Sequence, residues 1–132
     1  MQRIIGNVQE VENSYVQRFM LKSKIHRATL TGADLDYEGS IAIDRDLIEL
    51  ADMLPGEQVH VLNINNGSRL ITYVIEAPRG SGSMMLNGPA ARLGTTGDKV
   101  IVLTYCSVED DEAKSHETKV ILVDDENRAV ER

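Results

Sequence analysis

The sequence lacks several features that would assign a protein to a class at once. It contains one cysteine, Cys106, which excludes an internal disulfide. No apolar run approaches the roughly 18 residues that a transmembrane helix needs, and the N-terminal residues 1–7 lack the continuous apolar stretch of a secretory signal. We therefore expect a soluble, cytoplasmic protein with no membrane partner.

Basic side chains are also in deficit. The 132 residues include 14 Lys and Arg against 21 Asp and Glu, for a formal net charge of -7. Nucleic-acid-binding modules usually carry a basic face, so this balance argues against a nucleic-acid partner. Much of the acidic excess lies in residues 109–112 and 124–126, which we interpret as a solvated loop and a turn.

Neither histidine nor cysteine is arranged for metal or thiol chemistry. The three histidines, His26, His60 and His116, show no metal-ligand spacing, and we predict no metal. Cys106 follows the apolar run 100–105, which favours a buried core thiol over a nucleophile, since no histidine is near it in sequence.

Short strands dominate the predicted secondary structure. Period-two alternation puts Phe19, Leu21 and Ile25 on the buried face of a first strand. Further strands are predicted over residues 41–43, 59–64, 69–75, 84–86, 99–108 and 118–123. The turn Asn65-Asn66-Gly67 joins two of them as a hairpin, because Asn-Gly tolerates positive φ.

Helices are expected to be few and short. Apolar spacing predicts one over residues 47–54, capped by Asp44 or Asp46 and ended by Pro55-Gly56. Residues 31–34 are interpreted as a turn with a short helical piece, and residues 87–93 as a short helix with Pro89 in its first turn. Residues 79–83 form a glycine–serine loop, interpreted as flexible because no phosphate-loop Gly-Lys-Ser/Thr follows.

These elements predict a mainly β domain with short helices, of mixed or barrel-like form, over residues 16–132. Residues 1–15 have little periodicity and are interpreted as an N-terminal extension that is compatible with disorder. Local pattern alone does not identify a site. Gly39-Ser40 is typical of an ordinary turn between two β segments, and Arg69, Ile71 and Tyr73 would share a strand face by simple alternation.

Five segments change this interpretation because they occur together and in order. They are residues 24–29, 33–40, 66–73, 76–82 and 86–91. Over about residues 16–130 the series resembles the bacterial pyruvoyl-dependent aspartate α-decarboxylases. The resemblance implies a small six-stranded double-psi β-barrel and a cytoplasmic homotetramer that supplies β-alanine for pantothenate, and hence coenzyme A, biosynthesis.

The resemblance also implies an unusual origin for the cofactor. Ser40 would attack the carbonyl of Gly39, and autocatalytic cleavage between these residues would convert Ser40 into a covalently bound pyruvoyl group. The chain as printed would then be a zymogen. The mature ketone would form a Schiff base with L-aspartate, and Tyr73, as a protonated phenol, would give a proton to the carbanion left by decarboxylation.

The remaining site residues are likewise implied by the matching motifs. Lys24 and Arg69 would hold substrate carboxylates, a task that suits a planar guanidinium. Thr72 would serve both substrate binding and self-processing. Tyr37 would help to shape the scissile bond. The substrate would also meet a polar side chain and a backbone segment, which comprise Asn87, Gly88, Pro89 and Ala90.

The chain departs from the family pattern at two positions, Pro89 and Arg92, where alanine and histidine are common. Pro89 removes one backbone N–H from a segment expected to contact substrate. Two other functions stay open at this point: a non-enzymatic barrel homologue that acts as a binding module, and a pyruvoyl decarboxylase for another acidic amino acid. The sequence does not tell whether maturation needs an accessory protein.

Overall fold

The computed structural model describes residues 16–131, so the predicted N-terminal extension, residues 1–15, lies outside the described part of the chain. Half of the described residues lie in strands. The strands are β1 Gln17–Thr29, β2 Gly32–Asp34, β3 Ser40–Asp44, β4 Gln58–Asn63, β5 Arg69–Ala77, β6 Met84–Asn87, β7 Lys99–Glu109, β8 Lys119–Val123 and β9 Ala129–Val130. The helical pieces are Arg45–Leu50, Asp110–Ala113 and the 3-10 helix Gly88–Leu93. The predicted fold class, mainly β with short helices, is confirmed.

The strands hydrogen-bond in the order β2-β6-β3-β5-β4-β7-β1-β8-β9. Strand β3 lies between β5, to which it is parallel, and β6, to which it is antiparallel. Parallel pairing of β3 and β5 requires a crossover, here the helix Arg45–Leu50 and the β4 strand. Closure of these strands into a six-stranded double-psi barrel stays a prediction.

The core is built from aliphatic side chains that alternate along the central strands. Among its fully buried members are Ile41, Ile43, Val59, Val61, Val100 and Val102. Burial at every second residue is the pattern of strands with one face on the core. In β3, Ser40 and Asp44 lie on the face opposite to Ile41 and Ile43 and are also buried, so both ends of this strand are covered on both faces.

The predicted burial of Phe19 is wrong, because its side chain is 85% exposed. The pairing of β1 with β7 shifts register between Leu21 and Ser23. An extra residue at such a bulge exchanges the two faces of a strand, so odd-numbered residues of β1 face the core only between this shift and a second one after Ile25. Ser23 and Ile25 accordingly have no exposed surface.

Several predicted boundaries also need correction. The helix that begins after the Asp44 cap ends at Leu50, because Asp52 adopts a positive φ of 56° and stops it before Pro55. Residues 32–34 form strand β2 instead of a helical turn, and β9 is a strand that the sequence pattern did not predict. The hairpin turn is confirmed: Gly67 has a φ of 76°, and β4 and β5 pair as antiparallel strands on either side of it.

The acidic run 109–112 is exposed at three of its four residues, as predicted, but it is not a loop, because Glu109 ends β7 and the other three begin the helix Asp110–Ala113. Asp110 is buried, with its carboxylate 2.6 Å from the Arg18 Nε atom. Cys106 is half-buried, whereas the sequence predicts a buried thiol. Within residues 16–131, no helix has the length and apolarity needed to cross a bilayer.

Candidate active site

The Gly39-Ser40 bond lies at the entry to β3, and Ser40 is completely buried. Its hydroxyl donates to the Glu38 carbonyl oxygen at 3.2 Å and accepts from the Asn87 Nδ2 atom, also at 3.2 Å. Asn87 is itself buried. Ser40 therefore presents a desolvated hydroxyl with two long hydrogen bonds, which hold it less firmly than bonds of ordinary length would.

Sheet register brings two further predicted residues to Ser40. On one side, Ser40 is the direct partner of Asn87 in the antiparallel pair β3–β6. On the other side, Ile41 pairs with Val74 in the parallel pair β3–β5, so the preceding residues, Ser40 and Tyr73, are also neighbours along these strands. Ser40 thus lies between the strand that carries Tyr73 and the strand that ends in Asn87.

Gly88 makes room for the backbone next to the Gly39-Ser40 bond. It has a φ of 64°, which side-chain-bearing residues rarely adopt. A Cβ atom there would lie 2.6 Å from the Gly39 nitrogen and 2.7 Å from the Tyr37 carbonyl oxygen. Only glycine allows the residue after Asn87 to approach the segment before Ser40 this closely.

A cavity of about 430 Å³ opens beside the Gly39-Ser40 bond. Its lining residues are Gly39, Leu70, Ile71, Thr72, Tyr73, Pro89, Ala90 and Leu93. Its volume suits a small ligand. It unites five of the predicted site residues, whereas the apolar Leu70, Ile71 and Leu93 were not predicted to belong to the site. Their only signal in the sequence is that they flank the predicted positions.

Lys24 and Arg69 do not line this cavity. Lys24 lies in β1, where it pairs with Leu103 of β7 and Val120 of β8, and β1 is four strands from β3 in the sheet order. Arg69 begins β5 with an exposed side chain, and its Nη1 atom is 3.2 Å from the His60 Nδ1 atom. Within one chain, the two predicted carboxylate-binding cations lie outside the cavity.

Tyr37 approaches the Gly39-Ser40 bond with its backbone, because its carbonyl oxygen faces Gly88. Its side chain is 56% exposed and lines a second cleft, which Asn87 also lines. Tyr37 therefore meets the surroundings of the scissile bond through its main chain and through the cleft that it shares with Asn87.

The far end of β3 carries a second buried polar group, the carboxylate of Asp44. It accepts from the backbone nitrogens of Gly80 at 3.0 Å, Gly82 at 2.8 Å and Asp46 at 2.9 Å. Burial raises the pKa of Asp44, but these three donors and the Arg128 guanidinium outweigh that effect and hold the pKa below its usual value. The glycine–serine loop thus binds an internal carboxylate, which restrains a segment that the sequence predicts to be flexible.

Comparisons with known proteins show to which family the chain belongs. The aspartate decarboxylase family model matches residues 16–130, almost the whole of the described chain. This chain belongs to the aspartate decarboxylase family. An aspartate 1-decarboxylase of Thermoanaerobacter pseudethanolicus is 57% identical over 115 residues, covering 87% of this chain and 98% of the relative.

Two other bacterial members of the family are similarly close. The aspartate 1-decarboxylase of Dehalococcoides mccartyi is 58% identical over 109 residues, which cover 83% of this chain and 88% of the relative. That of Caulobacter vibrioides is 59% identical over 108 residues, which cover 82% of this chain and 92% of the relative. The family assignment thus rests on nearly full-length similarity.

The two departures from the family pattern lie in the 3-10 helix that follows Asn87. Pro89 is in the first turn of this helix, where the missing N–H costs no internal hydrogen bond. Its ring borders the cavity, with the Cδ atom 3.4 Å from where a Cβ on Gly39 would lie. Arg92 is exposed and is not among the residues that line the cavity.

Proposed function

We propose that this chain is a carbon–carbon lyase that converts L-aspartate into β-alanine and carbon dioxide, after cleaving itself between Gly39 and Ser40. The observation that carries the proposal is the buried Ser40 hydroxyl, which follows Gly39 and is flanked by Asn87 and Tyr73 in a member of this family. The β-alanine would enter pantothenate and coenzyme A biosynthesis, in the cytoplasm.

Self-cleavage uses atoms of the chain itself. The Ser40 Oγ atom attacks the Gly39 carbonyl carbon, and the amide becomes an ester while the hydroxyl proton passes to the freed Ser40 nitrogen. Elimination of the ester releases the Gly39 carboxylate and leaves dehydroalanine at position 40. Addition of water then expels ammonia and leaves a ketone, the pyruvoyl group. The loose hold on the Ser40 hydroxyl favours this sequence, because the oxygen must leave Glu38 to reach Gly39.

The residues around position 40 fit a pyruvoyl group. The Asn87 amide that donates to Ser40 is a donor for an oxygen at this position, and Gly88 keeps the space clear. The pyruvoyl ketone supplies an electron sink for the pair of electrons left when the α-carboxylate departs. Leu70, Ile71 and Leu93 form an apolar part of the cavity wall, and Ile71 and Leu93 are exposed in the single chain.

Tyr73 is proposed as the proton donor. Its phenol belongs to the lining of the cavity, and β5 places it alongside position 40. A tyrosine hydroxyl can deliver a proton to a carbanion within hydrogen-bond reach. Thr72 lines the same cavity and is the proposed aid to both self-processing and substrate binding.

The roles proposed for Lys24 and Arg69 require a second copy of the chain, because neither residue lines the cavity of its own chain. We propose a homotetramer in which these cations reach a neighbouring cavity and bind the aspartate carboxylates. Exposed apolar side chains support self-association, among them Phe19, Ile71 and Tyr105. Mixing unfolded Arg69→Ala and Tyr73→Phe chains and refolding them together tests this, since activity should return only if a site draws on two chains.

The substrate is tested with the purified, incubated protein and two labelled acids in parallel. We expect carbon dioxide and β-alanine from aspartate, and a far lower rate with glutamate, whose side chain is one methylene longer. Preference for glutamate would assign the enzyme to another acidic amino acid. No release from either acid, in protein incubated with and without a bacterial extract, would reject the lyase and leave a binding module.

A further inference from the structure

Asn127 is a buried polar residue that takes no part in the proposed reaction. It is 1% exposed, lies between β8 and β9, and has a φ of 61°. Its Oδ1 atom accepts from the Thr29 nitrogen at 2.7 Å, while Nδ2 donates to the carbonyl oxygens of Thr29 and Gly82, each at 2.8 Å. Both N–H donors of the amide are therefore used, and both are directed at main-chain carbonyls.

The two residues that Asn127 contacts, Thr29 and Gly82, belong to two different segments that adjoin the Gly39-Ser40 bond. Thr29 ends β1, and the chain after it runs through β2 to Gly39. Gly82 precedes β6, which ends at Asn87, the partner of Ser40. One side chain thus joins the segment that leads to the scissile bond to the segment that presents the Asn87 amide.

The surroundings of Asn127 leave little freedom for these segments to slide. Thr31 donates its N–H to the Met84 carbonyl at 2.8 Å, and the Met84 nitrogen donates to the Thr31 hydroxyl at 3.0 Å, so β6 is also fixed at its first residue. A Cβ atom on Gly82 would lie 2.7 Å from the Glu126 carbonyl oxygen. The loop and the segment before β9 therefore pack backbone against backbone.

We propose that Asn127 is a positioning residue for self-cleavage, which holds β6 and the β1–β2 connection at the spacing that aligns Asn87 and Gly88 with the Gly39-Ser40 bond. This inference rests on the proposed function. The alignment is sensitive because the Asn87–Ser40 bond is already 3.2 Å long. A displacement of about 1 Å in a reacting geometry can cost roughly 100-fold in rate.

The test compares Asn127→Gly with Asn65→Gly in the full chain. Glycine at position 127 retains the positive φ and removes all three hydrogen bonds. The control removes an exposed asparagine whose Oδ1 accepts from the Lys99 nitrogen at 2.7 Å, away from the cavity. First-order cleavage constants are measured by intact mass at a temperature where melting curves show every variant to be folded.

We expect Asn127→Gly to cleave at least about tenfold more slowly than the wild type, in line with a partly lost alignment, and Asn65→Gly to cleave at the wild-type rate. A general loss of rigidity would slow both variants in proportion to their loss of melting temperature. If Asn127→Gly does not fold, Asn127→Asp replaces it, because aspartate keeps the Thr29 N–H bond and loses both donors.

A wild-type cleavage rate in either folded Asn127 variant would overturn the inference and leave the proposed function intact. A wild-type protein that stays a single chain would instead overturn the proposed function, and the inference with it.

Discussion

Each end of strand β3 carries a buried polar side chain, and the two side chains differ in how strongly they are hydrogen-bonded. At the first residue, the Ser40 hydroxyl has two hydrogen bonds of 3.2 Å, one of them to a carbonyl only two residues away. At the last residue, the Asp44 carboxylate accepts three backbone N–H groups at 2.8 to 3.0 Å. The same short strand thus carries a loosely held group and a tightly held one.

This difference in hydrogen bonding fits the different roles of the two side chains. The Ser40 hydroxyl must leave its hydrogen-bond partners in order to attack the neighbouring carbonyl. Long hydrogen bonds are weak, so breaking them costs little free energy. A carboxylate that accepts several N–H groups fixes the loop that leads into β6, and hence the register of Asn87. Substitutions at the Ser40 end should therefore affect the reaction most, whereas those at the Asp44 end should act mainly through stability.

The largest effect is expected from Ser40→Ala. Without the hydroxyl, neither cleavage nor decarboxylation of aspartate should be detectable, because no pyruvoyl group can form. Stability should fall by about 1–3 kcal/mol, because the buried Asn87 amide loses its acceptor. Ser81→Ala is the matched control in the loop at the Asp44 end, and should cleave normally. Aspartate turnover by folded Ser40→Ala would contradict the scheme.

Tyr73→Phe should separate cleavage from catalysis. This variant retains Ser40 and Asn87 and should cleave, but its turnover of aspartate should fall roughly 10²- to 10⁴-fold, as when a general acid is removed. The measurement is decarboxylation per cleaved chain, with cleavage followed by intact mass. Turnover within a factor of two of the wild type would remove Tyr73 from its proposed role.

Gly88→Ala should displace the backbone next to the Gly39-Ser40 bond. Gly67 is the control, because it also has a positive φ, whereas a Cβ there would meet no atom within 4 Å. Both variants incur a strain of about 1–2 kcal/mol, but only Gly88→Ala forces a Cβ to 2.6 Å from Gly39. We expect a further loss of roughly 1–3 kcal/mol and a block of cleavage, measured by urea unfolding and intact mass. Equal losses in the two variants would contradict the close approach.

The smallest effect, and one mainly on stability, is expected from Asp44→Asn. An amide offers one oxygen to three N–H donors, which should cost about 1–3 kcal/mol at neutral pH. Because the folded-state pKa of Asp44 is lowered, the contribution of its carboxylate is complete above the unfolded-state pKa and is lost as the pH falls through the folded value.

Urea unfolding of both proteins at neutral and acidic pH checks this prediction. The difference in unfolding free energy between wild type and Asp44→Asn should shrink on acidification. A difference that stays constant with pH would show that the charge of Asp44 is not what holds the loop.

Local patterns predicted the elements better than their pairing. The hairpin at Gly67 and the strand β5 follow from residue types, since Asn-Gly favours positive φ and β5 is rich in Ile, Val, Thr and Tyr. Residue types and alternation could not predict the exposure of Phe19, because a bulge in β1 exchanges the faces of the strand. The end of the first helix at Leu50 depends on the conformation of Asp52, which has no clear sequence signal.

The site was predicted from an ordered resemblance, and only part of it comes together in one chain. Gly39, Thr72 and Tyr73 share a cavity, whereas Lys24 and Arg69 do not reach it. The contact of Ser40 with Asn87, 47 positions apart, depends on which strands pair, and no local pattern determines that. The bonds of Asp44 to the glycine–serine loop are long-range for the same reason.

Self-cleavage is tested most directly by the mass of the purified chain under denaturing conditions, before and after warming. We expect two fragments that divide between Gly39 and Ser40. The second should be lighter, by one ammonia, than a fragment beginning with serine. A chain that stays whole, or a second fragment that begins with unmodified serine, would contradict the claim that Ser40 is the source of the catalytic group.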